Sequence, residues 1–377
     1  MGKILRLIEE KKRISTKLSE LLDRESIERA ERDHHSKRMP RPCGITIHTG
    51  IGCSYVCSYC YIYDMGFPVK AKPYPLKPLE MVYSLSINPY VIPQKTFAAY
   101  GSVTEPFLPE TKNLALAYIE NVYKWLLLPS QVSTKCVIDE ALARRLKYAE
   151  PCISVLVTLI TIGKSKMLES LVPEPMNRLN GIAVASQAGL SVYLFIRPII
   201  PGVTDKEIDK IIELGVEHGI RGVVCGSLRV TQRILHRLKN KGIDISEITL
   251  RLPEIPKTMS QQISIKVDDI VNIIKKKAQD YGTKFFRTAC MANVDSHNDY
   301  CFMCSLGPCG NSRKKYDVNH NDIAEYLDFI GLRYRCIDIR NDHIIIEGLK
   351  GSTKILTIAK LTISYTSRMM VKMVPMN

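Results

Sequence analysis

Three cysteines, Cys53, Cys57 and Cys60, fall within eight positions of the stretch "GCSYVCSYCYIYD" (52–64), interleaved with tyrosines. Soft thiolates this close together on a short segment suit zinc or an iron–sulfur cluster. A structural zinc site takes four protein ligands, and the nearest candidates for a fourth are Cys43 and His48. A four-iron cluster held by three cysteines instead leaves one iron open to a substrate or cofactor, which accounts for a triplet. A second group, Cys290, Cys301, Cys304 and Cys309, lies in "CMANVDSHNDYCFMCSLGPCG" (290–310). Four thiolates around a central Cys-x-x-Cys close a metal site, and a loop with Gly and Pro exposes backbone amides to the sulfurs. An iron–sulfur cluster and a zinc ion are the alternatives there. The other five cysteines, Cys43, Cys136, Cys152, Cys225 and Cys336, stand singly and read as core or loop residues. His34, His35 and His297 read as surface residues.

These loops need a scaffold, and hydrophobic patterning supplies one. Strands are expected at 44–49, 96–102, 131–136, 153–161, 191–200 and 222–227, with helices at 110–127, 137–149, 175–189 and 205–218 between them. Six strands alternating with helices imply parallel βα units, whose reactive residues gather at the carboxyl ends of the strands. The first cysteine group lies just past the first strand, on that edge. Past residue 310, "NDIAEYLDFIGL" reads as a helix, while "RYRCIDI", "HIIIEGL" and "KILTIAKLTISYTS" read as strands of a small α+β unit. The expected division is an N-terminal basic amphipathic helical segment (1–42), a partial barrel (43–285), a cysteine loop (286–312) and a C-terminal α+β extension (313–377).

With 377 residues, 45% apolar and 24% charged, the chain is long enough for a large core and is not a disordered or low-complexity tract. No apolar run reaches the roughly 18–20 residues of a membrane span. The first residues, "MGKILRLIEEKKRISTKLSELLDRES", space their apolar side chains as an amphipathic helix and not as a signal peptide, so a cytoplasmic protein with reduced cysteines is expected. The net charge of +15 favours a polyanionic partner. Basic runs recur at 11–13, 34–41, 275–277 and 313–315, though a solvated basic surface gives the same charge.

The pattern Cys53-x-x-x-Cys57-x-x-Cys60, with Tyr59 before the last cysteine, resembles the signature of the radical S-adenosylmethionine (SAM) superfamily. The resemblance implies a partial (βα)6 barrel, a SAM-binding [4Fe-4S] cluster on the three cysteines, and reductive cleavage of SAM to a 5′-deoxyadenosyl radical that takes hydrogen from a substrate carbon. From about residue 43 to 220 the chain is similar to the spore photoproduct lyase-like branch. "GSVTEPFLPE" (101–110) matches its segment after the second strand, "STKCVIDE" (133–140) its third-strand segment, and "VPEPMNRLNGIAVASQAGLSVYLFIRPIIPGVTD" (172–205) its run of Glu-Pro, Arg-Leu, Ala-Gly and Pro-Ile-Ile-Pro-Gly. By position, Gly101, Ser102, Thr104 and Glu105 would meet the SAM amino group. Ser133, Thr134, Lys135, Thr158 and Arg197 would face SAM or substrate. Tyr59 and Tyr61 stand where that lyase has tyrosines of a radical relay, packing against the cluster being the alternative. The lyase's hydrogen-donating cysteine has no counterpart in "FAAYGSVTEP", which sets thymine-dimer repair apart from the expected reaction.

The superfamily often carries an auxiliary [4Fe-4S] cluster after its barrel, which the second cysteine group would hold. The expected substrate is a nucleic acid, through RNA modification or DNA repair, with an electron donor such as ferredoxin or flavodoxin. Peptide or protein modification by a maturase is the rival enzyme reading. A zinc-stabilised nucleic-acid-binding protein is the rival outside enzymes.

Overall fold

The computed structural model describes residues 1–41, 44–316 and 318–375; Cys43 lies outside the described residues. Its main sheet has seven parallel strands in the order β1 (Ile45–Ile47), β2 (Ala98–Tyr100), β3 (Ser130–Thr134), β4 (Ser154–Thr158), β5 (Ser191–Ile199), β6 (Gly222–Ser227) and β7 (Lys284–Phe286). Sheet order follows chain order, as simple βα crossovers produce. Every residue of β4 is buried, as a parallel strand covered on both faces requires. Six of the strands fall where hydrophobic patterning places them. The seventh, β7, is added at the edge, paired in register from Lys284 opposite Gly222 to Phe286 opposite Val224.

The crossovers are α3 (Pro78–Ile87), α4 (Lys112–Leu126), α5 (Glu140–Ala149), α6 (Pro175–Gln187) and α7 (Thr204–Glu217), then α8 (Gln232–Asn240) and α9 (Asp268–Asp280). Asp139 caps α5 by accepting from the Leu142 amide at 2.7 Å. Past β7, α10 (Ala289–Ser296) packs on β3, β4, β6 and β7. There its Ala292 joins Leu156, Tyr193, Phe195 and Val224 in a small core separate from the main one.

The N-terminal segment is two helices, α1 (Lys3–Leu21) and α2 (Arg24–Arg32), separated at Asp23, which caps the second through the Ser26 amide. α1 bridges two cores: Leu18 belongs to the barrel core and Ile4 to the C-terminal one. Halfway along, Lys11 donates to the Asn88 carbonyl, and burial pushes its ammonium down to about 7. An ammonium depressed in the fold but ordinary when unfolded weakens the fold as pH falls from about 10 toward about 7. The thermal midpoint should therefore rise on going from pH 7 to pH 9. A Lys11→Met variant should flatten that rise and melt a few degrees higher at pH 7; an unchanged slope would mean that Lys11 stays hydrated.

The C-terminal unit is a three-stranded sheet, β10 (Cys336–Ile339) antiparallel to β11 (His343–Leu349), which is parallel to β12 (Met370–Pro375). Helices α11 (His320–Phe329) and α12 (Thr353–Ser367) pack with it. The segment "KILTIAKLTISYTS", expected as a strand for its β-branched residues, is the helix α12. Ser352 caps it through the Ile355 amide, Ala359 and Ile363 share one buried face, and the parallel β11–β12 pair requires a crossover of this kind. The third strand is the "MVKMVP" segment that follows. Among the described residues no helix is long and apolar enough to cross a membrane.

Candidate metal and cofactor site

The first cysteine loop leaves the carboxyl end of β1 and is tied down mainly by a residue far along the chain. Arg237 of α8 donates from Nε to the Ser58 carbonyl at 3.0 Å and from Nη2 to the Cys60 carbonyl at 2.9 Å. Its Nη1 meets Asp64 Oδ1 at 2.7 Å, and Thr231 Oγ1 donates to Asp64 Oδ2 at 2.6 Å. Tyr63 adds a hydroxyl to the Cys53 carbonyl at 2.8 Å. The backbone carrying the thiols is thus held by charge-assisted bonds on both sides of Cys60. Nothing local in the sequence marks Arg237, because its partners stand more than 170 positions away.

Burial pushes the thiols of Cys53, Cys57 and Cys60 above the ordinary value, and the Lys135 ammonium works against this at all three. Burial likewise opposes the charge of Lys135, but Cys57, Glu169, Cys60 and Glu105 around it outweigh that and hold its pKa up. The site accordingly favours a bound cation or cluster that takes over the thiolate charge. Among the described residues no three cysteine sulfurs lie within 4.8 Å of one another. Tetrahedral zinc with bonds of about 2.3 Å would bring sulfurs to about 3.8 Å.

A cavity of about 100 Å³ lies against the three cysteines, lined also by Gly101, Ser102, Thr104, Glu105, Ser133, Thr134, Lys135 and Thr158. The structure thus brings these positions of β2, β3 and β4 together at the strand ends. Gly101 has φ +90°, and a Cβ there would stand 2.2 Å from the Ser133 carbonyl oxygen, so no other residue fits. Glu105 is consumed by the protein: Oε1 accepts from Thr134 Oγ1 at 2.5 Å, and Oε2 from the Lys135 amide at 2.8 Å. Ser133 donates to the Gly101 carbonyl at 3.1 Å. Among the described residues Thr104 Oγ1 is buried without a partner, and a buried hydroxyl left over in a cavity is what a bound polar ligand would satisfy.

This small cavity adjoins a wider one of about 330 Å³, with Tyr59, Cys60, Gly101, Ser133, Lys135 and Thr158 lining both. Tyr61, Arg197, Arg229 and Ala289 are among the walls of the wide part, and no carboxylate is. Arg197 has no ion-pair partner among the described residues. Its guanidinium stands 6.0 Å from the Phe195 ring centroid, and that of Arg229 is 5.7 Å from Tyr61. The Tyr59 hydroxyl points elsewhere, donating to the buried Glu169, which pairs with the equally buried Arg178 at 2.7 Å. Larger, more open grooves line α1 and α2, far from the cysteines.

The second cysteine group is also assembled. Cys301 and Cys309 face each other across the ribbon of β8 (Tyr300–Cys301) and β9 (Cys309–Gly310), Cys304 lies in the turn, and Cys290 is the second residue of α10. Burial pushes the Cys309 thiol up to about 12, and Cys301, Cys290 and Cys304 add to it. The C-terminal unit reaches this group. The Phe302 amide donates to the Arg368 carbonyl at 2.7 Å, and the fully buried Arg368 guanidinium pairs with Asp299 at 3.0 Å and stacks 4.1 Å from the Phe97 centroid. Among the described residues its Nε and Nη1 have no hydrogen-bond partner. Sequence reading missed Arg368, as it missed Arg178, Glu169 and Arg229.

One expectation is corrected here. His35 is wholly buried, and His34 and His297 are half-buried, so none is a plain surface residue; His297 Nε2 meets Glu150 at 2.8 Å. The basic runs sit on separate elements, and several are consumed: Lys11 by the Asn88 carbonyl, Lys277 by Asp209 at 2.5 Å, Lys315 by the Asn341 carbonyl. Of the single cysteines, Cys225 is buried, Cys136 half-buried, and Cys152 and Cys336 exposed.

No family model and no curated protein matches the sequence. Among solved structures the chain is similar to a doubly substituted spore photoproduct lyase with bound AdoMet and dinucleoside spore photoproduct. The identity is 12% and the TM-score 0.56, over 68% of this chain and 81% of that one. A singly substituted form of that lyase aligns with TM-score 0.52 and 13% identity over 65% and 75% of the two chains. What they share is the fold.

Proposed function

We propose that this radical SAM partial barrel is an enzyme that holds a [4Fe-4S] cluster on Cys53, Cys57 and Cys60 and takes hydrogen from a nucleic acid. Bound there, the cluster and SAM supply a 5′-deoxyadenosyl radical, with the electron drawn from a donor such as ferredoxin or flavodoxin. Gly101 leaves room at the small cavity, and Thr104 Oγ1 offers the unpartnered hydroxyl there. Ser102, Ser133 and Thr158 line the way from the cysteines to the wide cavity, and Glu105 fixes Lys135 by its backbone. Lys135 balances charge at the thiolates. The observation that carries the substrate class is the wide cavity itself: Lys135, Arg197 and Arg229 face it with no carboxylate among its walls. Arginines there suit phosphate, and Tyr61 beside Arg229 suits a stacked base. The dinucleoside held by a protein of similar fold supports this reading. Among the described residues no thiol other than Cys60, itself one of the three, lines the wide cavity, and the reading is accordingly of an outcome other than thymine-dimer cleavage.

We assign a second [4Fe-4S] cluster to Cys290, Cys301, Cys304 and Cys309, with the guanidinium nitrogens of Arg368 that lack a partner among the described residues serving its negative charge. An Arg368→Met variant should take up about four irons per chain where the parent takes about eight, and Arg368→Lys should recover part of the difference. About eight irons in the Met variant would make Arg368 a packing residue only.

The deciding experiment is SAM cleavage by the reconstituted protein with dithionite, supplied in turn with RNA, DNA and a peptide pool. Stimulation by nucleic acid that weakens in Arg197→Gln and Arg229→Gln supports the proposal. Stimulation by peptide alone replaces it with a maturase. Bound zinc without cleavage replaces it with a zinc-stabilised nucleic-acid-binding protein.

A further inference from the structure

His34 and His35 stand in a 3-10 turn after α2, and His48 follows β1, the edge strand of the main sheet. One ring nitrogen from each lies within 4.8 Å of the other two. They are the only three such ligand atoms, from His, Cys, Asp or Glu, among the described residues. The ring centroids are 4.1, 5.0 and 5.2 Å apart. Neither cysteine group takes part, so His48 does not serve as a fourth ligand to the first.

The surrounding hydrogen bonds decide where the lone pairs are. His35 Nδ1 lies 2.7 Å from Asp33 Oδ1, and a carboxylate accepts only, so Nδ1 carries the proton and Nε2 the lone pair. Tyr74 gives its single proton to Asp33 Oδ2 at 2.6 Å. Its oxygen can then only accept from His34 Nδ1 at 3.1 Å, which again leaves Nε2 free. Arg38 Nη1 approaches His48 Nε2 at 3.1 Å, and guanidinium only donates, so that nitrogen too holds a lone pair. Each imidazole has its lone pair on Nε2. Asp33 backs His35 as a carboxylate backs a metal-bound histidine.

We propose that His34, His35 and His48 form a binding site for a borderline divalent cation of the zinc type. Three imidazoles favour such an ion over an oxygen-seeking one, and the adjacent Asp33 carboxylate opposes an anion. Bonds of about 2.0–2.1 Å in a tetrahedron need nitrogens about 3.3 Å apart, so from a spacing of up to 4.8 Å the rings must close by up to about 1.5 Å. Two contacts compete with the ion. The His48 amide donates weakly to His35 Nε2 at 3.3 Å, and Arg38 occupies the His48 lone pair. Arg38 has no carboxylate partner among the described residues, so its side chain is free to swing away. The ion would clamp the turn after α2 to the end of β1, five residues before Cys53.

The test uses the full chain, reconstituted with iron and sulfide, dialysed against a chelator, then titrated with zinc and counted for both metals. One zinc per chain is expected, lost in His34→Ala and in His48→Ala with the iron count unchanged. Because a clamp of hydrogen bonds alone would resemble this site, Arg38→Met supplies the separating arm. Removing the competing cation should tighten zinc binding at least about tenfold, equivalent to about 1.4 kcal/mol. Zinc uptake that is absent, equal in both histidine variants and the parent, or indifferent to Arg38→Met would overturn the proposal.

Discussion

A Cys57→Ala chain, reconstituted anaerobically and given dithionite and SAM, is expected to yield no 5′-deoxyadenosine above a blank, while keeping about four irons on the second cysteine group. The geometry makes Cys57 the most telling of the three. It is buried, its thiol is pushed up by burial, and its nearest charge relief is Lys135. Such a thiol is costly to ionise in the bare protein and gains most when an iron takes its charge. Removing even an outer partner of a metal site commonly costs about 10–100-fold, so removing the ligand itself should exceed that. The iron count separates the two ways of failing. About four irons and no cleavage would mean that the first cluster is the catalytic one. About eight irons with cleavage intact would mean that Cys57 is a core residue, and the radical reading would fall with it.

The parts of this site that could be read in the sequence are those whose cause is local. The cysteine spacing and the mostly apolar strands each carry their reason within a few residues, whereas Gly101 is required by the Ser133 carbonyl on the next strand. β7 was missed because its three residues include a lysine and are only partly buried at the sheet edge, so no apolar alternation marks it. α12 was misread because Ile, Thr and Tyr favour strands, whereas its cap at Ser352 and the four-residue spacing of Ala359 and Ile363 argue for a helix. Arg237, Arg178 and Arg368 were out of reach for a different reason. Arg237 and Arg368 are fixed by partners distant in the chain and Arg178 by Glu169 across a turn, and an arginine destined for a buried carboxylate has the same sequence context as one bound for solvent. The histidines fall between: His34 and His35 are adjacent, but only the fold brings His48 to them.

The second large effect lies behind the cysteine loop. Arg178 and Glu169 are both wholly buried, and Arg178 also donates to the Thr158 carbonyl at 2.6 Å, so one guanidinium fixes the end of β4 and the acceptor of Tyr59. In Arg178→Met the Glu169 carboxylate loses its paired guanidinium and keeps the Tyr59 hydroxyl and the charge of Lys135, and stranding a buried charge costs about 3–5 kcal/mol. Denaturant titration should show that loss in the apo protein. The double variant Arg178→Met/Glu169→Leu removes both charges, and since the desolvation of an ion pair offsets much of its attraction, it should recover most of the stability. It should not recover SAM cleavage to the same degree, because Tyr59 then has no acceptor and lies between Cys57 and Cys60. A stability loss of less than about 1 kcal/mol in the single variant would mean that water reaches the pair. Full cleavage in the double variant would mean that Tyr59 is held by packing alone, and its hydroxyl would then have no part in placing the cysteines.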